Sequence, residues 1–242
     1  MNKLIIFFYG ITAYVVALVG QIWFILYLTQ WDIIEETIYT TQKLSTVTAI
    51  EINILLITLF GVQHSMMARS WFKSKLTKLL PIEAERSTYV LLSGVVFILI
   101  SLLWQPIDGM VWSVDEKILR TLLWGGFLFG WIFSVVATFV INHFELFGLQ
   151  QVYLQLLDRE PPKITFQERL FYKFVRHPIQ LGVLIGLWVT PVMTYGHLLL
   201  TLFFSIYIFV GLYFEEKDLV SELGEVYVAY KKRVGYMFPK KK

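Results

Sequence analysis

Cysteine is absent from the 242-residue chain. The sequence therefore excludes disulfides, thiolate metal sites and cysteine nucleophiles. Charged residues are also scarce, at 16 % of the chain against about 25 % in a typical soluble domain. Hydrophobic residues make up 57 % of the chain, and the mean hydropathy is +0.63. This composition is typical of a polytopic membrane protein.

Histidine is sparse as well. There are four in the chain, at His64, His143, His177 and His197. No two of them have the i, i+4 spacing of a helical metal site, and no cysteine supports them. We therefore predict no metal centre.

Internal repeats, low-complexity tracts and long linkers are also missing. The longest polar stretch, residues 142–178, reads as a surface turn ahead of a new helix rather than as a boundary between soluble domains. We therefore predict a single integral membrane domain over residues 1–242, with its ligand-binding part at about residues 142–239.

Long apolar runs dominate the chain. Runs of about 18 or more mostly apolar residues are typical of transmembrane helices. Four such runs cover residues 4–28, 52–67, 89–104 and 118–141. A fifth, residues 179–214, is too long for one helix and just long enough for two short ones, with Pro191 and Gly196 marking a turn. The sequence predicts an all-α transmembrane helix bundle of five to six helices. The first run is too long for a signal-peptide core, so we expect it to be retained.

The basic residues orient these helices. Cytoplasmic loops of membrane proteins are enriched in Lys and Arg. With the N-terminus inside, 18 of the 21 Lys and Arg residues fall on one side, and only Lys43, Lys117 and Arg120 fall on the other. We therefore predict cytoplasmic termini and an even number of helices. The net charge of +3 reflects this orientation and gives no support for nucleic-acid binding.

Two stretches on the predicted cytoplasmic side are amphipathic. Thr165, followed three residues later by Glu168, fits a capping box that would open a helix through Val175. A second helix is predicted over residues 219–234. We expect both interfacial helices to lie on the inner membrane surface and to cover the mouth of the final hairpin.

Charged side chains cluster at that mouth. Pro178 suits the first turn of a helix, so Arg176 and His177 would lie at a helix N-terminus, where free N–H groups favour an anion. Glu215 and Glu216 follow about one membrane pass later. We expect one glutamate to pair with Arg176 and the other to bind an ammonium group or ribose hydroxyls. The alternative is a structural salt bridge between adjacent loops.

Two more polar groups mark predicted helix ends. Gln63 and His64 lie about one turn inside the membrane at the end of the second helix, where polar groups are costly unless paired or functional. The alternative is a helix end whose side chains reach water. His143 and Glu145 lie at the end of the fourth helix, where an ordinary helix terminus is the alternative.

The C-terminal pattern resembles the isoprenylcysteine carboxyl methyltransferase superfamily of integral membrane enzymes. The resemblance covers roughly the last 75 residues and depends on the order of Tyr172, Arg176-His177-Pro178, Glu215-Glu216, Gly224-Glu225, Tyr227, Tyr230 and Lys231-Lys232-Arg233-Val234. Residues 63–69 and 143–151 resemble the nurim-like branch, and within it the membrane methanethiol S-methyltransferases. Those enzymes convert methanethiol to dimethyl sulfide with S-adenosylmethionine as the cofactor.

The resemblance implies roles for individual residues. The implied S-adenosylmethionine pocket is lined by Tyr172, Arg176, His177, Pro178, Gln180, Glu215, Glu216, Tyr227 and Tyr230. The prenylcysteine enzymes carry a substrate-binding arginine one turn before the glutamates. Gly211 takes that position here, which favours a small apolar acceptor. We expect methyl transfer to a small thiol, with His64 as the candidate catalytic base and His143 as the reserve.

The expected partners are the small thiol substrate and the lipid bilayer, with no required protein partner and no nucleic acid. The expected location is a bacterial inner membrane.

Three alternative functions stay open. The first is a membrane methyltransferase for prenylated or lipidic substrates. The second is an NADPH-dependent membrane reductase in which Lys231-Lys232-Arg233, otherwise an interfacial anchor, bind the 2′-phosphate. The third is a non-catalytic nurim-like membrane protein.

Overall fold

The computed structural model describes residues 2–162 and 166–240 of the chain. These residues form two compact units. The first unit comprises residues 2–110, 144–162 and 194–200, and the second comprises residues 111–143, 166–193 and 201–240. Both units are almost entirely helical. The single domain predicted over residues 1–242 stays a prediction.

Ten α-helices are found in the described part of the chain. In order they are α1 (Lys3–Tyr27), α2 (Thr46–Ala68), α3 (Ser70–Leu76), α4 (Glu85–Leu103), α5 (Lys117–Ile141), α6 (His143–Leu146), α7 (Leu149–Leu156), α8 (Pro178–Trp188), α9 (Tyr195–Leu223) and α10 (Glu225–Arg233). Five of them, α1, α2, α4, α5 and α9, are long and apolar enough to cross a membrane. The predicted all-α polytopic class is confirmed, and the protein is a multi-pass membrane protein.

Small residues let the helices of the first unit approach closely. A Cβ added to Gly20 on α1 would lie 2.3 Å from the carbonyl oxygen of Gly94 on α4. One added to Gly10 would lie 2.5 Å from a methyl group of Val152 on α7. Helix association in membranes depends on such close packing. Lipid tails are as apolar as the helix side chains, so the hydrophobic effect does not drive the helices together. These glycines therefore hold α1 against both α4 and α7.

The second unit uses the same device to fix α8. A Cβ on Gly182 would lie 2.6 Å from the carbonyl oxygen of Gly130 on α5, and one on Gly186 would lie 2.6 Å from the indole of Trp131. The short helix α8 is therefore held tightly along α5. This packing sets the position of its N-terminus, which begins at Pro178.

The final hairpin has unequal arms, which corrects the prediction of two short helices. Helix α8 has 11 residues and is about 16 Å long, roughly half the thickness of the hydrocarbon core. It stops before Pro191, because the residue preceding a proline disfavours helical backbone. The chain then continues extended into β2 (Val192–Thr194), which pairs with β1 (Met110–Ser113). Gly196, predicted to lie in the turn, belongs to the first turn of α9.

Neither predicted interfacial helix has its predicted form. Thr165 lies outside the described residues, residues 166–169 carry no helix, and only a 3₁₀ turn at Leu170–Lys173 follows. The predicted tail helix over residues 219–234 is interrupted at Gly224, whose φ of 58° is a conformation that glycine adopts readily. The chain there finishes α9 and starts α10 as a separate helix.

Candidate functional site

A buried carboxylate forms the centre of a charged cluster in the second unit. Glu216, on α9, is only 8 % exposed. Its Oε1 accepts a hydrogen bond from Arg176 Nε at 2.7 Å and lies 3.1 Å from His177 Nε2, while its Oε2 lies 2.9 Å from Lys231 Nζ. A buried charge is tolerated only when it is paired and hydrogen-bonded. The predicted pairing of one glutamate with Arg176 is confirmed for Glu216, whose two oxygens are both occupied by cations.

Arg176 also holds the C-terminal segment in place. Its Nη1 donates to the carbonyl oxygens of Lys231 at 3.1 Å and Val234 at 2.8 Å, and its backbone N–H donates to Gly235 at 2.9 Å. Carbonyls at a helix C-terminus lack intrahelical partners. The guanidinium therefore caps α10 while it pairs with α9. These donors of Arg176 are all used inside the unit.

His177 is the residue that precedes α8, and it is 3 % exposed. Burial lowers the pKa of its imidazole, although the nearby Glu216 carboxylate acts in the opposite direction. The ring is therefore neutral at pH 7. Since a carboxylate can only accept, Nε2 must carry the hydrogen that it donates to Glu216. The ring of Tyr236 packs edge-on against the imidazole at 5.1 Å and so completes its surroundings.

Glu215 differs from its neighbour in the sequence. It lies about 100° around the helix from Glu216 and is exposed. Its carboxylate makes no hydrogen bond or ion pair with any described residue. The side chain of Gln180, in the first turn of α8, makes none either. Together with the backbone N–H groups of Ile179 and Gln180, these two side chains are polar groups that remain available to a ligand.

Three tyrosines connect α10 to the chain before α8. Tyr227 and Tyr230 are each 3 % exposed, and the Tyr230 hydroxyl donates to the carbonyl oxygen of Tyr172 at 2.7 Å. The Tyr172 hydroxyl makes a longer contact of 3.4 Å with the carbonyl oxygen of Ala137 on α5. Burial raises the pKa of Tyr230 to about 12 and also raises the pKa of the other two phenols. All three hydroxyls are therefore protonated at pH 7.

His143 also belongs to the second unit. It is 5 % exposed, its Nδ1 lies 2.7 Å from Thr138 Oγ1, and its ring stacks on Phe139 with centroids 4.0 Å apart. Burial lowers the pKa of this imidazole, so the ring is neutral at pH 7. A neutral imidazole is able to accept a proton.

His64 lies in a hydrogen-bonded cluster of the first unit. Its Nε2 is 2.5 Å from the Tyr89 hydroxyl, its Nδ1 is 3.3 Å from Ser93 Oγ, and its ring stacks on Phe60. The guanidinium of Arg86 lies over the Tyr89 ring at 4.8 Å. These contacts give the half-buried His64 protein partners, which disfavours the alternative of a helix end that simply reaches water.

The second unit contains every predicted cofactor residue. The set consists of Tyr172, Arg176, His177, Pro178, Gln180, Glu215, Glu216, Tyr227 and Tyr230, and His143 belongs to the same unit. His64 belongs to the first unit. Within the described ranges, no group of three or more His, Asp or Glu residues is arranged to hold a metal ion.

Two participants in the cluster were not predicted as such. Lys231 was expected to be a membrane anchor or a phosphate ligand, and the structure makes it a partner of Glu216. Tyr236 packs on His177 and on the Arg176 guanidinium, and the sequence offers no signal for it beyond its place after the basic run. A buried carboxylate needs more than one partner, and this requirement could have indicated Lys231.

The basic run at the end of α10 is mostly used within the unit. Besides the pairing of Lys231, Arg233 forms a bidentate interaction with Glu168 at 2.7 and 3.2 Å. Two of the three consecutive basic side chains are thus already engaged. This arrangement disfavours the NADPH reductase, which needs that run for a 2′-phosphate.

Comparison with known proteins finds strong similarity to one group of membrane enzymes. The chain is 43 % identical, over 98 % of its length, to methanethiol S-methyltransferase 1 of Bradyrhizobium diazoefficiens, of which it covers 83 %. It is 44 % identical, over 79 % of its length, to methanethiol S-methyltransferase of Mycobacterium tuberculosis, of which it covers 78 %. Nurim of Xenopus laevis is 28 % identical over 66 % of the chain, which covers 58 % of nurim. No protein-family model and no solved structure matches the chain.

Proposed function

The chain belongs to the methanethiol S-methyltransferase family, and from that premise we propose that it transfers a methyl group from S-adenosylmethionine to methanethiol and so forms dimethyl sulfide. The 43 % identity over 98 % of the chain carries this proposal. A methyltransferase needs a methyl donor. The proposed identity of that donor and of its binding residues depends on the polar groups of the second unit.

The available groups of the second unit fit S-adenosylmethionine, which carries an ammonium group, a carboxylate and ribose hydroxyls. The carboxylate of Glu215, which has no partner in the described part of the chain, suits the ammonium group or the hydroxyls. The first-turn N–H groups of α8 suit the carboxylate, and the amide of Gln180 can both donate and accept. Glu216 is unsuited to the same role, because Arg176, Lys231 and the neutral His177 ring already contact its oxygens.

The cluster around Glu216 then positions the residues that we propose to bind the cofactor. It joins the start of α8 to α9 and α10, and these three elements carry Gln180, Glu215 and Tyr227 respectively. Tyr172, Pro178 and Tyr230 complete the proposed walls. In this assignment Arg176 and His177 keep the walls together, and Glu215 makes the direct contact.

The chemistry needs a thiolate acceptor. S-adenosylmethionine supplies the methyl group on a positively charged sulfonium, and its transfer to a negatively charged thiolate is favoured where water is excluded. The thiol must therefore lose its proton, since the thiolate is the nucleophile. A neutral imidazole can take that proton. We propose His64 as the first candidate for this base and His143, whose pKa is lowered by burial, as the second.

The residue type at Gly211 favours a small acceptor, because no arginine is present at this position. This residue lies one turn before Glu215 on α9, and a Cβ built on it would meet no atom within 4 Å. The position is therefore open and carries no positive charge. A bulky substrate with a carboxylate, such as a prenylcysteine, would lack the arginine that the resemblance places there in the enzymes acting on it.

The test uses the purified full-length protein in detergent. Cofactor affinity is measured by titration calorimetry, and dimethyl sulfide is measured by gas chromatography after addition of methanethiol. Glu215→Gln is expected to weaken S-adenosylmethionine binding about 10- to 100-fold, the loss expected for one hydrogen bond to a charged group. Glu222→Gln, an exposed carboxylate further along α9, is the matched control and should bind like the wild type.

The two candidate bases are separated in the same assay. His64→Gln or His143→Gln should lower kcat while cofactor affinity is kept, if that residue takes the proton. Absence of dimethyl sulfide from the wild-type reaction would overturn the activity. Equal cofactor affinity in Glu215→Gln and the wild type would overturn the assignment of the binding site alone.

A further inference from the structure

An open groove of about 500 Å³ lies beside the C-terminal end of α5 in the second unit. Its apolar wall is formed by α5 and by Leu170, which begins the 3₁₀ turn. Leu170 is 62 % exposed, and its φ of 43° is unfavourable for a residue with a branched side chain. Such strain persists only where the surroundings hold it. The structure thus keeps an apolar side chain presented at the edge of this groove.

The groove also has basic lining residues. Arg169 and Lys173 line it, both are exposed, and neither side chain makes a hydrogen bond or ion pair with a described residue. The one acidic group that lines the groove is Glu168. Its carboxylate is taken by Arg233 in a bidentate interaction, so it does not neutralise the two free cations.

An exposed apolar stripe on α5 leads into the groove. Phe129, Ile132, Val136 and Phe139 are spaced so that they lie on one face of the helix, and each is between 42 and 59 % exposed. The last two residues of the stripe also line the groove. Because α5 is long and apolar enough to cross the membrane, acyl chains are what cover this face.

We infer that this groove binds an anionic phospholipid, with its phosphate held by Arg169 and Lys173 and an acyl chain lying along the stripe on α5. The charge and the apolar surface meet at the end of a membrane helix, where a lipid headgroup meets its chains. Basic pockets at the cytoplasmic ends of membrane helices recognise anionic headgroups in this way. A zwitterionic lipid would place an ammonium group near the same two cations.

The test counts lipids retained by the purified full-length protein in native mass spectrometry. Phosphatidylglycerol and phosphatidylcholine with identical chains are added to delipidated protein. The wild type should retain phosphatidylglycerol roughly 10- to 30-fold more tightly, from the contribution of two basic residues. The double variant Arg169→Gln/Lys173→Gln should lose this preference. Lys75→Gln/Lys78→Gln, which removes the same charge from the end of α3 and the turn after it, should keep it.

Glycerol 3-phosphate serves as the headgroup without chains. It should displace phosphatidylglycerol poorly, because it makes no contact with the apolar stripe. Equal retention of the two lipids by the wild type, unchanged retention by the Arg169→Gln/Lys173→Gln variant, or efficient displacement by glycerol 3-phosphate would each overturn the proposal. Both residues are exposed, so the variant should fold like the wild type, and its thermal unfolding provides the check.

Discussion

The two units hold their polar groups by different means. In the first unit, His64 interacts with the hydroxyls of Tyr89 and Ser93, so the cluster is joined by neutral groups. In the second, the Glu216 carboxylate is joined to three basic side chains. Losing one neutral hydrogen bond leaves a modest defect, whereas removing the carboxylate leaves the buried Arg176 guanidinium without its charge partner. The second cluster is therefore the more fragile to mutation.

The largest effect is expected from Glu216→Ala. Loss of this carboxylate leaves the buried side chains of Arg176 and His177 without their shared partner. Breaking such a pair should lower the free energy of unfolding by about 3–5 kcal/mol. The measurement is unfolding of the purified protein in detergent, followed by tryptophan fluorescence.

A matched control uses a second ion pair in the same unit. Arg233→Gln removes the exposed partner of Glu168, and its expected loss is below about 1 kcal/mol. An equal loss of stability in both variants would show that burial does not make the Glu216 interactions more stabilising than an exposed ion pair.

An intermediate effect is expected from Tyr89→Phe in the first unit. The substitution keeps the ring and removes the hydroxyl that lies 2.5 Å from His64 Nε2. We expect a loss of about 1 kcal/mol in the free energy of unfolding, the net value of one hydrogen bond. Ser93→Ala, which removes the longer 3.3 Å contact, should lose less. Equal or greater loss in Ser93→Ala would contradict the ranking of these two contacts.

The smallest effect is expected from mild acidification. Burial lowers the pKa of His177 and of His143 below the value of about 6.5 found in the unfolded chain. The unfolded state therefore binds protons first as the pH falls, and the stabilising contribution is complete above about pH 6.5 and lost as the pH falls through the lowered pKa. The contribution of His177 is limited, because Glu216 opposes the effect of burial.

The measurement for this pH dependence is the apparent Tm between about pH 7.5 and pH 5.5. The wild type should lose stability towards the acidic end, and His177→Gln should show a shallower dependence, since one titrating ring is gone. Parallel profiles for the two proteins would exclude His177 as a source. A Tm that rises on acidification would reverse the sign of the argument for both histidines.

The long apolar runs in the sequence were enough to predict the helices that cross the membrane. Hydrocarbon thickness sets their length, so the run of residues 4–28 and helix α1 nearly coincide. The arms of the last hairpin were harder to place. Helix α8 ends ahead of Pro191, and the glycines that hold it against α5 give no local signal in the sequence.

The candidate site was likewise predicted only in part. The sequence indicated that Arg176 would pair with one of two adjacent glutamates, and it could not indicate which. That choice depends on where α10 places Lys231, a residue 15 positions beyond Glu216 in the sequence. The separation of the tail into two helices at Gly224 was also missed, because the apolar spacing on both sides continues across the break.

Composition and hydropathy determined that this protein is a polytopic helical membrane protein. These properties follow from the cost of exposing backbone and charge to lipid, which every residue carries wherever it packs. Only the tertiary structure decided that Glu216 pairs with Arg176, His177 and Lys231 and that Glu215 makes no such contact. Pairing of charges depends on distances between side chains from separate helices, and sequence spacing does not contain those distances.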